Sequence, residues 1–256
     1  MSAGLVSSSS APAMRSRDFS FEASPQLYAR SAGLIYLAVI VFGGFSEGVV
    51  MNSLVAPGDM AATARHIAAS HDLWRISAAG NLAVPILAVV QLWIEYLLLR
   101  PAGRAAALLF VLMNAASLAV EAVSKIFLLL VEPALNGSGG LADGSQKLGF
   151  ALARFALQAH DIAFNITLLL FGCACLVSGY LIRRSRFLPR LVGWLMQMAG
   201  ACYLVASWAA LFAPGFASQI TPWILLPPLI GESSLCLWLL IRGVDVTKWR
   251  EAIAAS

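Results

Sequence analysis

The stretch AAALLFVLMNAASLAVEAVSKIFLLLV, residues 105–131, carries only two charged side chains, Glu121 and Lys125. It exceeds the ~20 apolar residues that an α-helix needs to cross the hydrocarbon core of a bilayer. Five more stretches of the same character lie at residues 31–55, 74–99, 156–182, 190–212 and 222–241. The alternating segments of about ten residues that are typical of a membrane β-barrel do not occur. We therefore predict an all-α polytopic membrane protein, a bundle of six transmembrane helices.

The overall composition agrees with this prediction. Of the 256 residues, 60% are hydrophobic and 12% are charged, whereas a soluble domain has about 25% charged residues. The net charge of +4 comes from basic residues near the predicted helix ends, so it predicts contact with the lipid bilayer and not with nucleic acid. The four cysteines all lie in apolar stretches without the spacing of a zinc or redox pair, so we interpret them as buried thiols.

The distribution of Lys and Arg predicts the orientation. If the helices alternate in direction, twelve of the seventeen basic residues lie on one side: Arg15, Arg17, Arg30, Arg100, Arg104, Arg183, Arg184, Arg186, Arg190, Arg242, Lys248 and Arg250. The opposite side has four: Arg65, Arg75, Lys147 and Arg154. Since cytoplasmic loops are enriched in Lys and Arg, both termini are predicted to be cytoplasmic, in the inner membrane. We divide the chain into a flexible cytoplasmic tail (1–29), a six-helix transmembrane domain (30–243) and a short cytoplasmic tail (244–256).

The predicted outer loops, at residues 56–73, 132–155 and 213–221, differ in character. In the first, Pro57-Gly58 forms a turn, Asp59 can cap a helix, and Met60 to Ala69 has good helix propensity. We predict a short helix there, lying on the outer face. The second loop contains several glycines and is predicted to be flexible.

A scattered set of motifs carries a family resemblance. They are Arg30-Ser-Ala-Gly-Leu-Ile-Tyr36, Pro57-Gly58-Asp59 with Thr63-Ala64 and Ile67, Arg75, Gly179-Tyr180-Leu181, Ser185 with Leu188-Pro189-Arg190 and Gly193, Gly231-Glu232, and Trp238-Leu239-Leu240. Together they resemble the bacterial membrane family catalogued as domain of unknown function 4386, from about Arg30 to Gly243. Similar proteins often carry an acid near position 81, where this chain has Asn81. The resemblance implies a membrane fold and no particular activity.

Ionisable residues inside the predicted spans are the most informative functional signal, because each costs about 2.5–3.5 kcal/mol at mid-bilayer and therefore needs a reason. Alternating helix directions put most of them at or above the midplane, where they could line one outward-facing polar cavity. The candidates for this ligand or proton cavity are Glu47, Asp59, Arg75, Asn81, Glu121, Lys125, His160, Asp161, Asn165 and Glu232.

Local spacing distinguishes these candidates. Glu121 and Lys125 are four residues apart in the order that favours an intrahelical pair. Glu47 and Glu232 have no local cation, so each needs a partner from another helix or a proton. Gly43-Gly44 precedes Glu47 by one turn, a pattern typical of a close-packing surface or of a ligand contact. Pro227-Pro228 precedes Glu232, and such a double proline is typical of a plain kink or of a broken helix beside a site.

Three functional interpretations remain open. The first is binding or transport of a small molecule or ion in the cavity, with proton coupling through Glu47 and Glu232. The second is a non-transporting module, such as a sensor, assembly factor or partner-binding subunit, whose buried charges only set helix packing. The third is an intramembrane enzyme that uses His160 and Asp161. We favour the first and predict no catalytic residue, metal or cofactor; the sequence does not identify a protein partner.

Overall fold

The computed structural model describes residues 24–136, 146–221 and 223–255, and these residues are helical with no β-strand. Six helices are long and apolar enough to cross a membrane: Pro25–Leu54, His71–Ala102, Arg104–Asn136, Gln146–Ser185, Arg190–Phe212 and Trp223–Ile241. They overlap the six predicted stretches and confirm the prediction of an all-α polytopic membrane fold. The first 23 residues of the predicted tail lie outside the described residues, and the first helix begins at Pro25, ahead of the predicted boundary.

The spanning helices form a closed ring. In chain order the α-helices are α1 (Pro25–Gly43), α2 (Asn52–Leu54), α3 (Met60–Ala69), α4 (His71–Leu99), α5 (Arg104–Asn136), α6 (Gln146–Ser185), α7 (Arg190–Phe212), α8 (Pro214–Ile220), α9 (Leu226–Ile241) and α10 (Val246–Ala254). Helices α1, α4, α5, α6, α7 and α9 each pack on the next, and α9 packs back on α1. The ring therefore encloses a central space that all six helices can line.

Both ends of the described chain and two basic turns lie at the same end of the bundle. Three hydrogen bonds join that end: Gln26 Nε2 donates to Arg242 O (2.6 Å), Asp245 N to Phe187 O (3.1 Å) and Trp249 Nε1 to Leu98 O (3.1 Å). Trp249 of α10 is fully buried there, and a hydrogen bond from Lys248 lowers the pKa of the helix-capping Asp245. The basic residues at the described chain ends and in the turns near Arg100 and Arg184 are thus grouped in space.

The loop after the first spanning helix folds as predicted. Gly58 has a positive φ of 80°, which suits a turn, and the Asp59 carboxylate accepts a hydrogen bond from Ala62 N at 2.8 Å. Helix α3 then runs from Met60 to Ala69. The second predicted loop, 132–155, is shorter in the structure, because α5 continues to Asn136 and α6 begins at Gln146; its glycine-rich centre lies outside the described residues.

Helices α6 and α7 approach so closely that only glycine fits at their crossing. A Cβ atom at Gly179 would lie 2.6 Å from Gly193 O, and one at Gly200 would lie 2.6 Å from Gly172 O. Small residues at such contacts let two helix backbones approach each other inside a membrane. This contact holds α7 at a fixed position in the ring.

The double proline does not break the last spanning helix. A short 3₁₀ turn, Trp223–Leu225, leads into α9, and Pro227 and Pro228 lie in its first turn. Proline is tolerated there because the amide groups of the first turn have no intrahelical acceptor. The helix is therefore not broken before Glu232, which projects from the regular helix α9.

Candidate functional site

The ring encloses a cavity of about 380 Å³. Each of the six spanning helices contributes to its wall; the polar lining residues are Tyr36, Glu47, Asn81, Gln91, Asn114, Ser117, Glu121, Thr167, Tyr203 and Glu232. Its volume falls within the range of small-molecule pockets. Its lining contains three carboxylates and no lysine, arginine or histidine.

The first spanning helix changes its geometry beside the cavity. The helix is of π type from Gly44 to Met51, and Glu47 lies within this segment. A π segment adds a residue to a turn and shifts the side chains after it, and such segments often occur at functional sites. The two glycines at 43 and 44, where the geometry changes, are the sequence signal for this feature.

One end of the cavity, which we call the ionic end, is built from Glu47, Glu121, Lys125 and His160. Lys125 Nζ lies 2.7 Å from Glu47 Oε1 and 3.8 Å from Glu121 Oε1, and the lysine is 1% exposed. The predicted pair within α5 is therefore present, but the closer partner of Lys125 comes from the first spanning helix. Glu47 thus obtains from another helix the cation that its own helix lacks.

His160 adds two hydrogen-bond contacts to the ionic end. Its Nδ1 lies 3.0 Å from Ser124 O, and its Nε2 lies 3.4 Å from Glu47 Oε2. Because a carbonyl oxygen only accepts, Nδ1 carries a hydrogen there. A hydrogen bond between Nε2 and the Glu47 carboxylate then requires a second proton, which either group can hold. Lys125, 4.8 Å from the Phe164 ring centroid, and His160 both lie behind the cavity wall.

The other end of the cavity, which we call the aromatic end, surrounds Glu232. The hydroxyl of Tyr36 on α1 donates to Glu232 Oε2 at 3.1 Å, and the hydroxyl of Tyr203 on α7 donates to Oε1. Phe171 packs against Tyr203 with the ring centroids 5.6 Å apart. Among the described residues, no lysine, arginine or histidine lies within 4.0 Å of the Glu232 carboxylate. The carboxylate is held by neutral donors alone.

The two ends are separated by an apolar middle. Tyr36 and Glu47 are eleven residues apart on one helix, a distance of about 16 Å along its axis. Val39 and Ile40 lie between them and line the cavity, together with Val84 of α4. A molecule that fills the cavity would therefore contact these apolar side chains at its centre, beside the polar residues Asn114, Ser117 and Thr167.

Two buried amide side chains, Asn81 and Gln91, have polar atoms without a hydrogen-bond partner among the described residues. The Asn81 side chain is 1% exposed, and neither its amide nitrogen nor its amide oxygen has a hydrogen-bond partner among the described residues. Leaving such a buried polar group unsatisfied costs about 1–3 kcal/mol. Gln91 lies about three turns after Asn81 on α4. Its Nε2 donates to Glu95 Oε1 at 2.9 Å, but its own Oε1 has no hydrogen-bond partner among the described residues. Both residues contribute to the cavity wall, but their unpaired atoms are covered by neighbouring atoms.

The cavity opens to the side of the bundle. Four of its lining residues are exposed: Gly44 and Gly48 of the π segment, and Leu225 and Leu229 at the start of the last spanning helix. A Cβ atom placed at either glycine would have no atom within 4 Å. This mouth is made of glycine and leucine, so it presents an apolar surface.

The structure does not bring all ten sequence candidates together. Glu47, Asn81, Glu121 and Glu232 line the cavity, with Lys125 and His160 directly behind it. Asp59 caps α3. Arg75 and Asp161 are exposed, and Asn165 donates to Asp161 O; none of these three lines the cavity.

Sequence reasoning missed Tyr36, Tyr203, Phe171 and Gln91. Tyr36 had a signal, because it lies about three turns before Glu47 and so belongs to the same helix face. Tyr203 and Phe171 resemble many aromatic residues of membrane helices, and nothing local distinguishes them.

The fold and the cavity define a class: a polytopic membrane protein whose six helices enclose one central cavity with acidic side chains on its wall. The sequence matches the family described as "Domain of unknown function (DUF4386)" over residues 31–243, and the chain belongs to that family. Neither the curated proteins nor the solved structures contain a match.

Proposed function

We propose that this protein is an inner-membrane protein with both termini in the cytoplasm that binds a small molecule in its central cavity and exchanges protons there. The observation that carries the proposal is a cavity of about 380 Å³ whose wall carries the carboxylates of Glu47, Glu121 and Glu232. Small-molecule sites are mostly apolar cavities with a few polar groups that orient the bound molecule. The contact between His160 Nε2 and Glu47 Oε2 supports the proposed exchange of protons in the cavity.

A second candidate function is a non-transporting packing module. Lys125 favours it, because its contacts with Glu47 and Glu121 compensate most of the charge at the ionic end. The same charge compensation does not extend to Glu232. An enzyme that uses His160 with Asp161 receives no support, since Asp161 is exposed and lies off the cavity wall.

Native mass spectrometry of the purified protein tests the binding proposal. We expect a small-molecule adduct on the wild type and its loss in Gly43→Leu. Gly43 lines the cavity, and the nearest atom to a Cβ there is a Val84 methyl at 3.9 Å, so leucine fills the cavity without a backbone clash.

The matched control is Gly215→Leu, which adds the same side chain on α8 at an exposed position with nothing within 4 Å. This variant should keep the adduct. If the wild type carries none, or if both variants lose it equally, small-molecule binding in the cavity is refuted.

Cysteine labelling from each side of the membrane tests the orientation. Ala68→Cys on α3 should react with an impermeant maleimide added from the periplasmic side, and Arg184→Cys should react only after the membrane is opened. Both positions are exposed. The wild type, with its four native cysteines, measures the background. The reverse pattern would contradict the orientation that the basic residues predict.

A further inference from the structure

We infer that the aromatic end of the cavity is a binding site for an organic cation with an apolar body, held at Glu232. This inference rests on the proposed function, because it names the class of molecule that the cavity takes. It goes beyond that function by assigning the charge of the molecule and the end at which its charged group lies.

The balance of charge points to a cation. The three carboxylates on the cavity wall face one lysine, and Lys125 is already engaged by Glu47 and Glu121 at the ionic end. Glu232 receives only the neutral hydroxyls of Tyr36 and Tyr203. A carboxylate inside a membrane is stabilised by pairing with a cation, and here the described residues provide none. A bound cation completes the pairing.

The rings around Glu232 specify the kind of cation. Tyr36, Tyr203 and Phe171 all line this end of the cavity. Aromatic faces attract ammonium and other organic cations most strongly when water is excluded, and cages of aromatic rings are the usual sites for quaternary ammonium groups. A compact metal ion such as Ca²⁺ instead requires about six oxygen ligands, whereas one carboxylate among three rings cannot supply them. The geometry therefore favours a bulky, weakly hydrated cation.

The rest of the cavity suits an apolar body. Val39, Ile40 and Val84 form its middle, and the mouth beside Gly44 and Leu229 is apolar. A lipophilic amine or quaternary ammonium compound has this combination of features, and it can reach the mouth from the hydrocarbon of the bilayer.

Two isosteric ions of opposite charge test the sign. Tetraphenylphosphonium and tetraphenylborate have nearly the same shape, so their difference in binding to the protein in lipid nanodiscs, after subtraction of the binding of each ion to protein-free nanodiscs, reports charge preference. We expect tetraphenylphosphonium to bind and to raise the melting temperature, with no specific binding of tetraphenylborate. Glu232→Gln should weaken tetraphenylphosphonium binding at least about tenfold, since removing one partner of a buried charge pair costs about 2–5 kcal/mol.

Two further variants locate the site. Phe171→Leu leaves the Glu232 carboxylate in place and removes one ring, so it should weaken tetraphenylphosphonium binding several-fold. If Glu232→Gln fails to fold, this variant still tests the site. Glu47→Gln, at the ionic end, should change the affinity less than Glu232→Gln does. A larger effect of Glu47→Gln would overturn the assignment to the aromatic end.

The outcomes separate this inference from the proposed function. If tetraphenylborate binds instead, or if neither ion binds while the native adduct persists and is lost in Gly43→Leu, the cation inference is overturned and small-molecule binding stands. If neither ion binds and no adduct is found, both are overturned. Binding of tetraphenylphosphonium that Glu232→Gln and Phe171→Leu leave unchanged also overturns the inference.

Discussion

Lys125→Met is expected to lower the free energy of unfolding by about 3–5 kcal/mol, the usual cost of leaving buried charges without their partner. Lys125 is 1% exposed and lies 2.7 Å from Glu47 and 3.8 Å from Glu121. Without it, two carboxylates face each other across the ionic end with only His160 to compensate them. Unfolding of the purified protein in detergent, followed by circular dichroism, measures the loss.

Neutralising the partners should restore stability to different degrees. Glu47→Gln/Lys125→Met should recover more than Glu121→Gln/Lys125→Met, because Lys125 is closer to Glu47. The matched control is Lys147→Met, at an exposed position, which should change the free energy of unfolding by no more than about 0.5 kcal/mol. Equal stability of the single and double variants would show that Lys125 does not stabilise the fold through these contacts.

Acidification is expected to weaken tetraphenylphosphonium binding, by up to about tenfold per pH unit, because a proton and the cation compete for the Glu232 carboxylate. Binding is therefore strongest at high pH and is lost as the pH falls. Glu232→Gln should remove this dependence. It should leave the protein nearly as stable, since the glutamine amide can accept from one tyrosine hydroxyl and donate to the other. Affinity measured from pH 5 to pH 9 checks both expectations.

The effect of protonating Glu232 must be distinguished from the effect of protonating other ionisable groups near it. They are Tyr36 on α1, Glu95 on α4, Cys175 on α6, Tyr203 on α7 and Cys236 on α9. Tyrosine and cysteine ordinarily titrate above about pH 8, so Glu95 is the competing acid. Glu95→Gln should keep the pH dependence. If the dependence disappears in Glu95→Gln and survives in Glu232→Gln, the proton acts at Glu95, and the assignment to Glu232 is wrong.

The six spans could be predicted from the sequence because a membrane helix satisfies its own backbone hydrogen bonds and meets lipid through its own side chains. Both requirements are local. The predicted stretch 190–212 and helix α7 (Arg190–Phe212) accordingly have the same bounds. The capped helix α3 was equally predictable, since the Asp59 carboxylate accepts a hydrogen bond from Ala62 N, only three residues further along the chain. The effect of the double proline was not predictable from the sequence. Pro227 could lie inside a helix or in its first turn, and only the position at which α9 begins decides between these two cases.

Within the site, the sequence by itself determined which charged side chains are inside the membrane and that Glu121 can reach Lys125, because four residues are one helical turn. It could not determine that Lys125 lies closer to Glu47, or that Tyr36 and Tyr203 hold Glu232, because these partners come from different helices. Which helices become neighbours depends on all the packing contacts of the ring together. The close approach of Gly200 to Gly172 is one of these contacts. The acidic residues of the cavity and Asn81 could therefore be predicted one by one, whereas its aromatic residues and the pairing of all these side chains were decided only by the tertiary structure.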